Sequence, residues 1–475
     1  MIDKREIIDA ATTFGLNPHV IEKDYVLGWL LWGISNHEAI SGSWIFKGGT
    51  CLKKCFFETY RFSEDLDFTL TDPGHLDEEF LKRAFAEIGE RIYEETGIEF
   101  PRDVQEFEIY GNPRGGKSCQ GKLGYQGPVS PRGKSMPRIK LDLTADERLV
   151  LPPVASQVFH PYSDAPENVI AVNTYAYEEA FAEKVRALAE RARPRDLYDV
   201  VNLFRNADAR PAAAVLLNVL RQKCEFKGIR IPELIDLEPH KPALEGGWSM
   251  MLAHQLPALP PVDTFWNELP VFFGWLNGGA APTVPIAYAR AAGEEIIRAR
   301  SLRLRVPAAA QSHLEVIRFA ASNRLCVDLD YQGSKRRIEA YSLRRTQDGN
   351  VILHAFNVDK NEHRTYRVDR ITGVRVTGQT FVPRYEIELS PKGPGDILAT
   401  TTSDRSGSVP TAGAGNRSNR SRSSGFSSGP AYVYECSYCS KRFSRKKQDS
   451  ALNPHKNKNG YPCAGRHGHW VDTRY

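Results

Sequence analysis

Two short elements near the N-terminus most constrain what this chain can fold into: a Gly-Gly-Thr turn at 48–50 and, 15 residues later, an Asp65-Leu66-Asp67 segment. Glycines that directly precede a helix let backbone N–H groups approach a phosphate closely. Residues two apart on a strand point to the same face, so Asp65 and Asp67 would repel each other unless a cation lay between them. A turn of this kind followed by paired carboxylates predicts metal-dependent phosphoryl chemistry.

The whole chain has the composition of a soluble protein with several domains. Its 475 residues suffice for about three domains, and 41% hydrophobic with 25% charged residues is typical of globular proteins. We find no run of 18 apolar residues and no apolar signal-peptide core at the N-terminus. We therefore expect a cytoplasmic protein without a membrane partner.

The net charge of +5 is unevenly distributed along the chain. Residues 401–475 contain 13 Lys and Arg against 4 Asp and Glu, so this tail carries +9 and the first 400 residues carry −4. A basic tail on a mildly acidic body favours a polyanionic partner such as nucleic acid. The alternative is a solvated, charge-rich end without a partner.

Changes in residue pattern along the chain divide it into five segments. They are a mixed α/β core at 1–165, a helical subdomain at 166–305, a small β-rich domain at 310–390, a flexible Gly/Ser/Thr/Arg-rich linker at 391–430 and a Cys/His-rich unit at 431–475. In the helical subdomain, we expect one long helix, a break at Pro194 and then a second helix.

A third carboxylate is expected from the strand RIKLDLT, where Lys140 and Asp142 alternate with apolar residues. A two-metal site takes its carboxylates from neighbouring strands, and Asp142 could join Asp65 and Asp67 in this way. Asp142 could then align or deprotonate an attacking hydroxyl. The alternative is that Asp65 and Asp67 only decorate a solvent-exposed strand face.

Four motifs in this order resemble the AbiEii toxin family, which lies within the nucleotidyltransferase superfamily with a polymerase-β-like core. They are KGGTCLKK, RFSEDLDF, RIKLDLT and EKVRALAERARPRDLYDVVNL, and the resemblance spans roughly residues 10–290. AbiEii proteins are the toxins of type IV toxin–antitoxin, abortive-infection systems. The resemblance implies an α+β fold: a polymerase-β-like nucleotidyltransferase core with a helical C-terminal subdomain.

The same resemblance implies roles for individual residues. The residues expected to hold the NTP are Gly48, Gly49, Thr50, Ser63 and Lys184. The residues expected to ligate Mg²⁺ are Asp65, Asp67 and Asp142. Either Asp196 or Asp199 would face the nucleotide pocket. Two alternatives remain from the residues alone. Lys184 could form surface ion pairs along its helix, and Asp196 could serve to start a helix after Pro194.

A second phosphate-binding pattern, G-x4-G-K-S at 111–118, is rejected. A P-loop must open a helix whose N-terminus meets the phosphates, but a Gly- and Pro-rich stretch follows here. We expect a hairpin loop instead, in which Arg114 and Lys117 could touch RNA or nucleotide.

The β-rich domain resembles a WYL domain, an SH3-like β fold of bacterial defence regulators. The positions that carry the resemblance are Arg337, Glu339, Tyr341, Arg344, Gly349, Arg364, Tyr366, Arg367 and Asp369 to Ile371. The name-giving Trp-Tyr-Leu is absent, and Val-Ile-Leu stands at 351–353. The resemblance implies a nucleotide or nucleic-acid ligand, whereas the arginines could instead form surface salt bridges with nearby carboxylates.

The terminal unit contains four soft metal ligands with zinc-like spacing. They are Cys436, Cys439, His455 and Cys463. A unit of this length could hardly fold without a bound metal ion or another cross-link, so we expect structural Zn²⁺. His467 or His469 could replace His455 as a zinc ligand. Basic residues alternate here with the aromatic residues Tyr438 and Phe443, and this pattern favours nucleic acid; the basic residues are Lys441, Arg442, Arg445, Lys446 and Lys447.

Together these features predict a Mg²⁺-dependent nucleotidyltransferase toxin that moves NMP from an NTP to an acceptor. RNA such as tRNA is the expected acceptor, and a cognate antitoxin is the expected protein partner. One alternative is a nucleic-acid-binding defence regulator of WYL and zinc-finger type, whose nucleotidyltransferase part only senses nucleotide. Another is transfer to a protein hydroxyl, against which the basic tail weighs.

Overall fold

The structure is a computed structural model, and it divides the chain into two compact units. The larger unit holds residues 1–90 and 98–398, and the smaller one holds 91–97 and 399–475. The described residues are 1–57, 61–111, 115–130, 136–207, 209–280, 282–283, 293–297, 308–389, 431–439, 442–445, 450–452, 454–455 and 463–474. The linker expected at 391–430 lies outside them.

A mixed seven-stranded sheet forms the centre of the first part of the chain. Its strands are β1 Trp44–Lys47, β2 Asp65–Leu70, β3 Gln105–Gly111, β4 Lys117–Gly124, β5 Arg138–Thr144, β6 Val154–Gln157 and β7 Ala171–Thr174, in the order β3-β4-β5-β2-β1-β7-β6. The pairs β2/β5 and β1/β7 are parallel, and the others are antiparallel. Because β7 pairs with β1, the sheet extends beyond the boundary expected at residue 165.

Helices before and between these strands follow the local signals in the sequence. They are α1 Lys4–Phe14, α2 Pro18–Ser35, α3 Gly48–Cys51, which continues into a π-helical turn at Leu52–Phe56, and α4 Glu78–Thr96. Asp3 and Asn17 cap the first two helices, and Pro18 occupies the first position of α2. Most of α2 is buried, which explains why its apolar residues run round the whole helix.

A helical region follows the sheet. Its helices are α5 Tyr177–Arg191, α6 Pro194–Arg205, α7 Ala213–Lys227, α8 Leu234–Leu237, α9 Lys241–Leu252, α10 Asp263–Trp266 and α11 Leu269–Leu276. The expected break lies between α5 and α6: Ala192 adopts a left-handed conformation with φ of 43°, and Pro194 then opens α6. None of the described helices has the length and apolarity that crossing a bilayer requires.

The β-rich domain is a six-stranded antiparallel sheet with one helix. Its elements are β8 Glu295–Ile296, α12 Ala308–Ser322, β9 Leu325–Tyr331, β10 Ser334–Arg345, β11 Val351–Asn357, β12 Glu362–Arg367 and β13 Ile371–Thr380. The strand order is β12-β11-β10-β9-β13, and β8 pairs with β10. The sheet thus takes in residues that precede the domain start expected at residue 310.

The smaller unit contains a three-stranded antiparallel sheet. Its strands are β14 Ala431–Cys436, β15 Arg442–Arg445 and β16 Gly468–Arg474, with β14 in the middle. Among its described residues, Tyr434, Cys436, Leu452 and Cys463 form a buried cluster. Two of these four residues are cysteines, so thiols make up half of this cluster.

Candidate functional site

Strands β2 and β5 bring the three predicted carboxylates together on one face of the central sheet. Asp67 and Asp142 are register partners in the parallel β2/β5 pair, where neighbouring strands lie about 4.8 Å apart. Asp65 lies two residues before Asp67 on the same face, and Leu66 and Leu141 point into the core. All three carboxylates are partly accessible, and Gln120 Nε2 on β4 lies 3.4 Å from Asp142 Oδ1.

The Gly-Gly turn lies directly against these carboxylates, and a side chain at either glycine would collide with the site. Gly48 has φ of +81°, and a Cβ there would lie 2.0 Å from Asp67 Oδ2. A Cβ on Gly49 would lie 2.5 Å from Arg61 Nη2 and 3.1 Å from Ser63 Oγ. The hydroxyl of Thr50 donates to the backbone carbonyl of Asp65, which ties the turn to the start of β2.

The electrostatics of the three carboxylates fit a site for a cation. Burial, and then the charge of Asp142, raises the pKa of Asp67 to about 6, against the lowering effect of Lys47 and Lys184. Burial likewise raises the pKa of Asp65. A divalent metal ion would relieve this repulsion, and the all-oxygen donor set is the one that Mg²⁺ prefers.

Basic side chains surround the carboxylates, and the sequence alone did not single out most of them. Lys47 is the register partner of Asp67 on β1, and its Nζ lies 3.7 Å from Glu147 Oε1. Arg195 is close enough to interact electrostatically with Asp65. A cation directly before the glycine turn is the signal that could have identified Lys47.

Asp199 of the fourth motif is a buried hub that joins two cations. Arg61 binds its carboxylate through Nε at 2.7 Å and Nη2 at 2.8 Å, and Lys184 Nζ lies 2.7 Å from Oδ2. Burial by itself would raise the pKa of Asp199, but the charges of Arg61 and Lys184 bring that pKa well below its ordinary value. The hub therefore holds a fully ionised carboxylate between α5, α6 and the segment that enters β2.

The resemblance implies that Asp196 or Asp199 faces the pocket, and the burial and contacts of both residues bear on this prediction. Both are fully buried, and Asp196 binds Arg191 at 2.7 and 2.8 Å. A carboxylate buried inside a helical region requires cationic partners, and both Asp196 and Asp199 have them. Sequence reasoning missed Arg61, which is 138 residues from its partner Asp199.

The G-x4-G-K-S pattern forms no P-loop. Lys117 and Ser118 lie on β4, which pairs with β3 as an antiparallel hairpin, so no helix follows the glycines. Arg114 falls outside the described residues. The structure agrees with the rejection of this pattern as a nucleotide site.

Comparison with known proteins identifies the family. Residues 29–268, half of the chain, match the model of the nucleotidyl transferase AbiEii toxin of type IV toxin–antitoxin systems. The chain belongs to the AbiEii nucleotidyltransferase toxin family. It is accordingly a nucleotidyltransferase, which takes an NTP as substrate in a toxin–antitoxin system, as the four motifs predicted. Membership also implies an antitoxin partner.

A second family and two solved structures show further similarities. Residues 312–376 match the WYL domain. The nucleotidyltransferase toxin MenT4 from Mycobacterium tuberculosis is 18% identical, with 59% of this chain and 91% of that chain covered at a TM-score of 0.41. Proteasome accessory factor B/C of Arthrobacter aurescens is 14% identical, with 62% of this chain and 63% of that chain covered at a TM-score of 0.16. No curated protein matches the chain.

The smaller unit brings the four predicted zinc ligands together. The ligand atoms of Cys436, Cys439, His455 and Cys463 all lie within 4.8 Å of one another. Cys436 Sγ and Cys463 Sγ are 3.8 Å apart, which is too long for a disulfide. Zinc–sulfur bonds of about 2.3 Å give a tetrahedron with edges of about 3.8 Å, so the donor set fits Zn²⁺.

The histidine left open by the sequence has a clear position in this cluster. His455 is 1% exposed, and its Nε2 lies 3.2 Å from Cys439 Sγ. His467 and His469 are exposed and do not belong to the cluster.

Most arginines of the β-rich domain that were considered for phosphate binding are paired with carboxylates. Arg364 lies 2.7 Å from Glu362, and Arg367 lies 2.7 Å from Asp369. Arg344 is fully buried against Glu388 at 3.1 Å. These contacts match the salt-bridge alternative more closely than an open phosphate-binding face.

Proposed function

We propose that this chain transfers a nucleoside monophosphate from an NTP to an RNA acceptor such as tRNA, with Mg²⁺ held by Asp65, Asp67 and Asp142. The observation that supports this most is the register pairing of Asp67 with Asp142, with Gly48 directly against Asp67. The metal, when bound, would neutralise charge on the phosphates and lower the pKa of the attacking hydroxyl.

The chain's own residues would orient the reactants. Backbone N–H groups of the Gly48-Gly49-Thr50 turn, with Ser63, would face the triphosphate, because the missing Cβ atoms let the backbone approach closely. Asp142 would align or deprotonate the acceptor hydroxyl from the neighbouring strand. The basic side chains around the carboxylates would complement the phosphate charge.

Asp199 would act as a positioning residue in this reaction. It holds Lys184 at 2.7 Å and Arg61 in a bidentate contact, and the Arg61 guanidinium lies against Gly49. The glycine turn and α5 are thereby braced through one buried carboxylate. Lys184 would be shared between Asp199 and the triphosphate once the NTP is bound.

The basic tail would dock the acceptor, and Zn²⁺ would hold its small unit together. Residues 401–475 carry an excess of nine positive charges, and phosphate contacts supply most of the affinity of proteins for nucleic acid. Zinc bound by Cys436, Cys439, His455 and Cys463 would stabilise this unit in addition to its buried cluster.

Incubation with each labelled NTP, Mg²⁺ and total cellular RNA tests the proposal. We expect label in RNA with the wild-type chain and none with Asp67→Asn, while the exposed-site control Asp103→Asn retains activity. Label in protein instead of RNA would favour the protein-hydroxyl alternative. Transfer that persists in Asp67→Asn would refute the site, and absence of any transfer would refute the acceptor classes proposed.

A further inference from the structure

A cavity of about 420 Å³ lies between the helical region and the β-rich domain. Its walls come from the end of α6 and the following loop, the start of α11, Pro282 and Thr283, the turn between α12 and β9, and the segment after β13. No residue proposed to take part in nucleotidyl transfer lines it. Apart from Ser322 and Arg324, its lining residues also fall outside the part that matches the WYL domain.

Two arginines in this cavity share one carboxylate. Arg205 contacts Glu268 Oε1 through Nε at 3.0 Å and Nη2 at 2.8 Å, and Arg324 Nη1 contacts the same oxygen. The remaining Nη1 of Arg205 is buried and has no hydrogen-bond partner among the described residues. A buried guanidinium N–H without an acceptor is costly, so an additional acceptor would be stabilised here.

A third arginine adds positive charge without a carboxylate of its own. Arg210 lies with its guanidinium carbon 4.6 Å from the ring centre of Phe204 and 5.8 Å from that of Trp275. Its Nε donates to the Phe204 carbonyl at 2.8 Å. Within the described part of the chain, no carboxylate comes within ion-pairing distance of Arg210. Aromatic contacts hold its side chain in place, and Glu268 acts on its charge from beyond ion-pairing distance.

The charge balance around the cavity is therefore positive. Among the residues that the structure describes, the charged ones that line it are the three arginines with Glu268 and Glu386. Burial, and then the charge of Arg205, lowers the pKa of Arg324 to about 10, against the raising effect of Glu268. A bound anion would compensate this excess and accept from several guanidinium groups at once.

Apolar and aromatic side chains complete the cavity wall. They are Phe204, Val271, Val382, Pro383, Tyr385 and Ile387. A volume of about 420 Å³ lies at the small end of ligand pockets and is too small for a folded chain or a polynucleotide. We propose that this cavity binds a small phosphate ester with an aromatic base, of mononucleotide size, through Arg205, Arg210 and Arg324. This site does not depend on the proposed transfer reaction.

Calorimetric titration of the full chain with AMP, GMP, CMP and UMP, in EDTA, tests the proposal. We expect one of the four nucleotides to bind with one-to-one stoichiometry. Arg210→Gln should lower the affinity for this nucleotide about tenfold or more, since one charge-assisted contact is lost. Val271→Trp, at a position 48% exposed, should also weaken binding by filling the cavity without changing charge. The exposed-arginine control Arg221→Gln and the variant Asp67→Asn should bind as the wild type does.

Three outcomes would overturn the proposal. The first is that none of the four nucleotides binds at millimolar concentration. The second is that Arg210→Gln and Val271→Trp both bind with unchanged affinity, when circular dichroism shows that each is folded. The third is that Asp67→Asn loses binding. The last would place the nucleotide in the carboxylate site instead. Because the titration contains no metal and measures no transfer, its failure is separate from failure of the proposed reaction.

Discussion

Replacing Asp67 by asparagine should stabilise the metal-free protein at pH 8, although it removes a residue of the proposed site. In the folded chain, the pKa of Asp67 is raised from 3.8 to about 6. Since the folded state binds the proton more tightly than the unfolded state, the free energy of unfolding falls as pH rises between these two values. The full cost of ionising Asp67 above pH 7 is about 3 kcal/mol, and a neutral asparagine side chain at this position would not carry this cost.

Thermal unfolding in EDTA at pH 4 and pH 8 measures this difference. We expect Asp67→Asn to melt higher than the wild type at pH 8, by about 1–2 °C for each kcal/mol gained, and close to it at pH 4. Adding Mg²⁺ at pH 8 should raise the melting temperature of the wild type alone, because only its carboxylate cluster can hold the ion. Asp103→Asn, at an exposed turn, is the matched control and should change neither value.

A specific result would refute this reasoning. If Asp67→Asn melts at or below the wild-type temperature at pH 8 without metal, the carboxylates do not repel each other as their placement implies. If Mg²⁺ stabilises the variant as much as the wild type, the ion binds elsewhere.

Three further predictions concern the hub, the turn and the zinc cluster. Asp199→Asn should destabilise the larger unit by about 3–5 kcal/mol, because two buried cations lose their shared anion. A decrease in melting temperature of less than one degree would contradict this prediction. Gly48→Ala should abolish transfer of label, since its Cβ would meet a site carboxylate at 2.0 Å, whereas Gly42→Ala, in open space, should retain it. Mass spectrometry of the purified chain should find about one bound zinc ion per chain in the wild type and in His467→Ala, and less than one in His455→Ala. Equal zinc content in the two variants would exclude His455 as the ligand.

Local patterns in the sequence determined the chemistry that this chain presents. Strand alternation placed Asp65 and Asp67 on one face, and the glycine turn predicted close backbone approach at Gly48. Four motifs in order predicted the nucleotidyltransferase family, and the Cys/His spacing predicted the four residues that lie together in the smaller unit. Each of these patterns depends on residues only a few positions apart, or on ligand types that metal chemistry restricts, so sequence suffices to recognise them.

Tertiary structure decided the register of predicted neighbours and the pairing of groups that the sequence did not connect. The sequence predicted that Asp142 joins the other two carboxylates, and the register of β2 against β5 paired it with Asp67. The fold alone buried Asp199 against Arg61, 138 residues away. It also extended the central sheet to β7, and it enclosed a cavity between two domains. A buried carboxylate and its cation carry no periodic signal, because their pairing depends on how elements pack and not on their spacing along the chain.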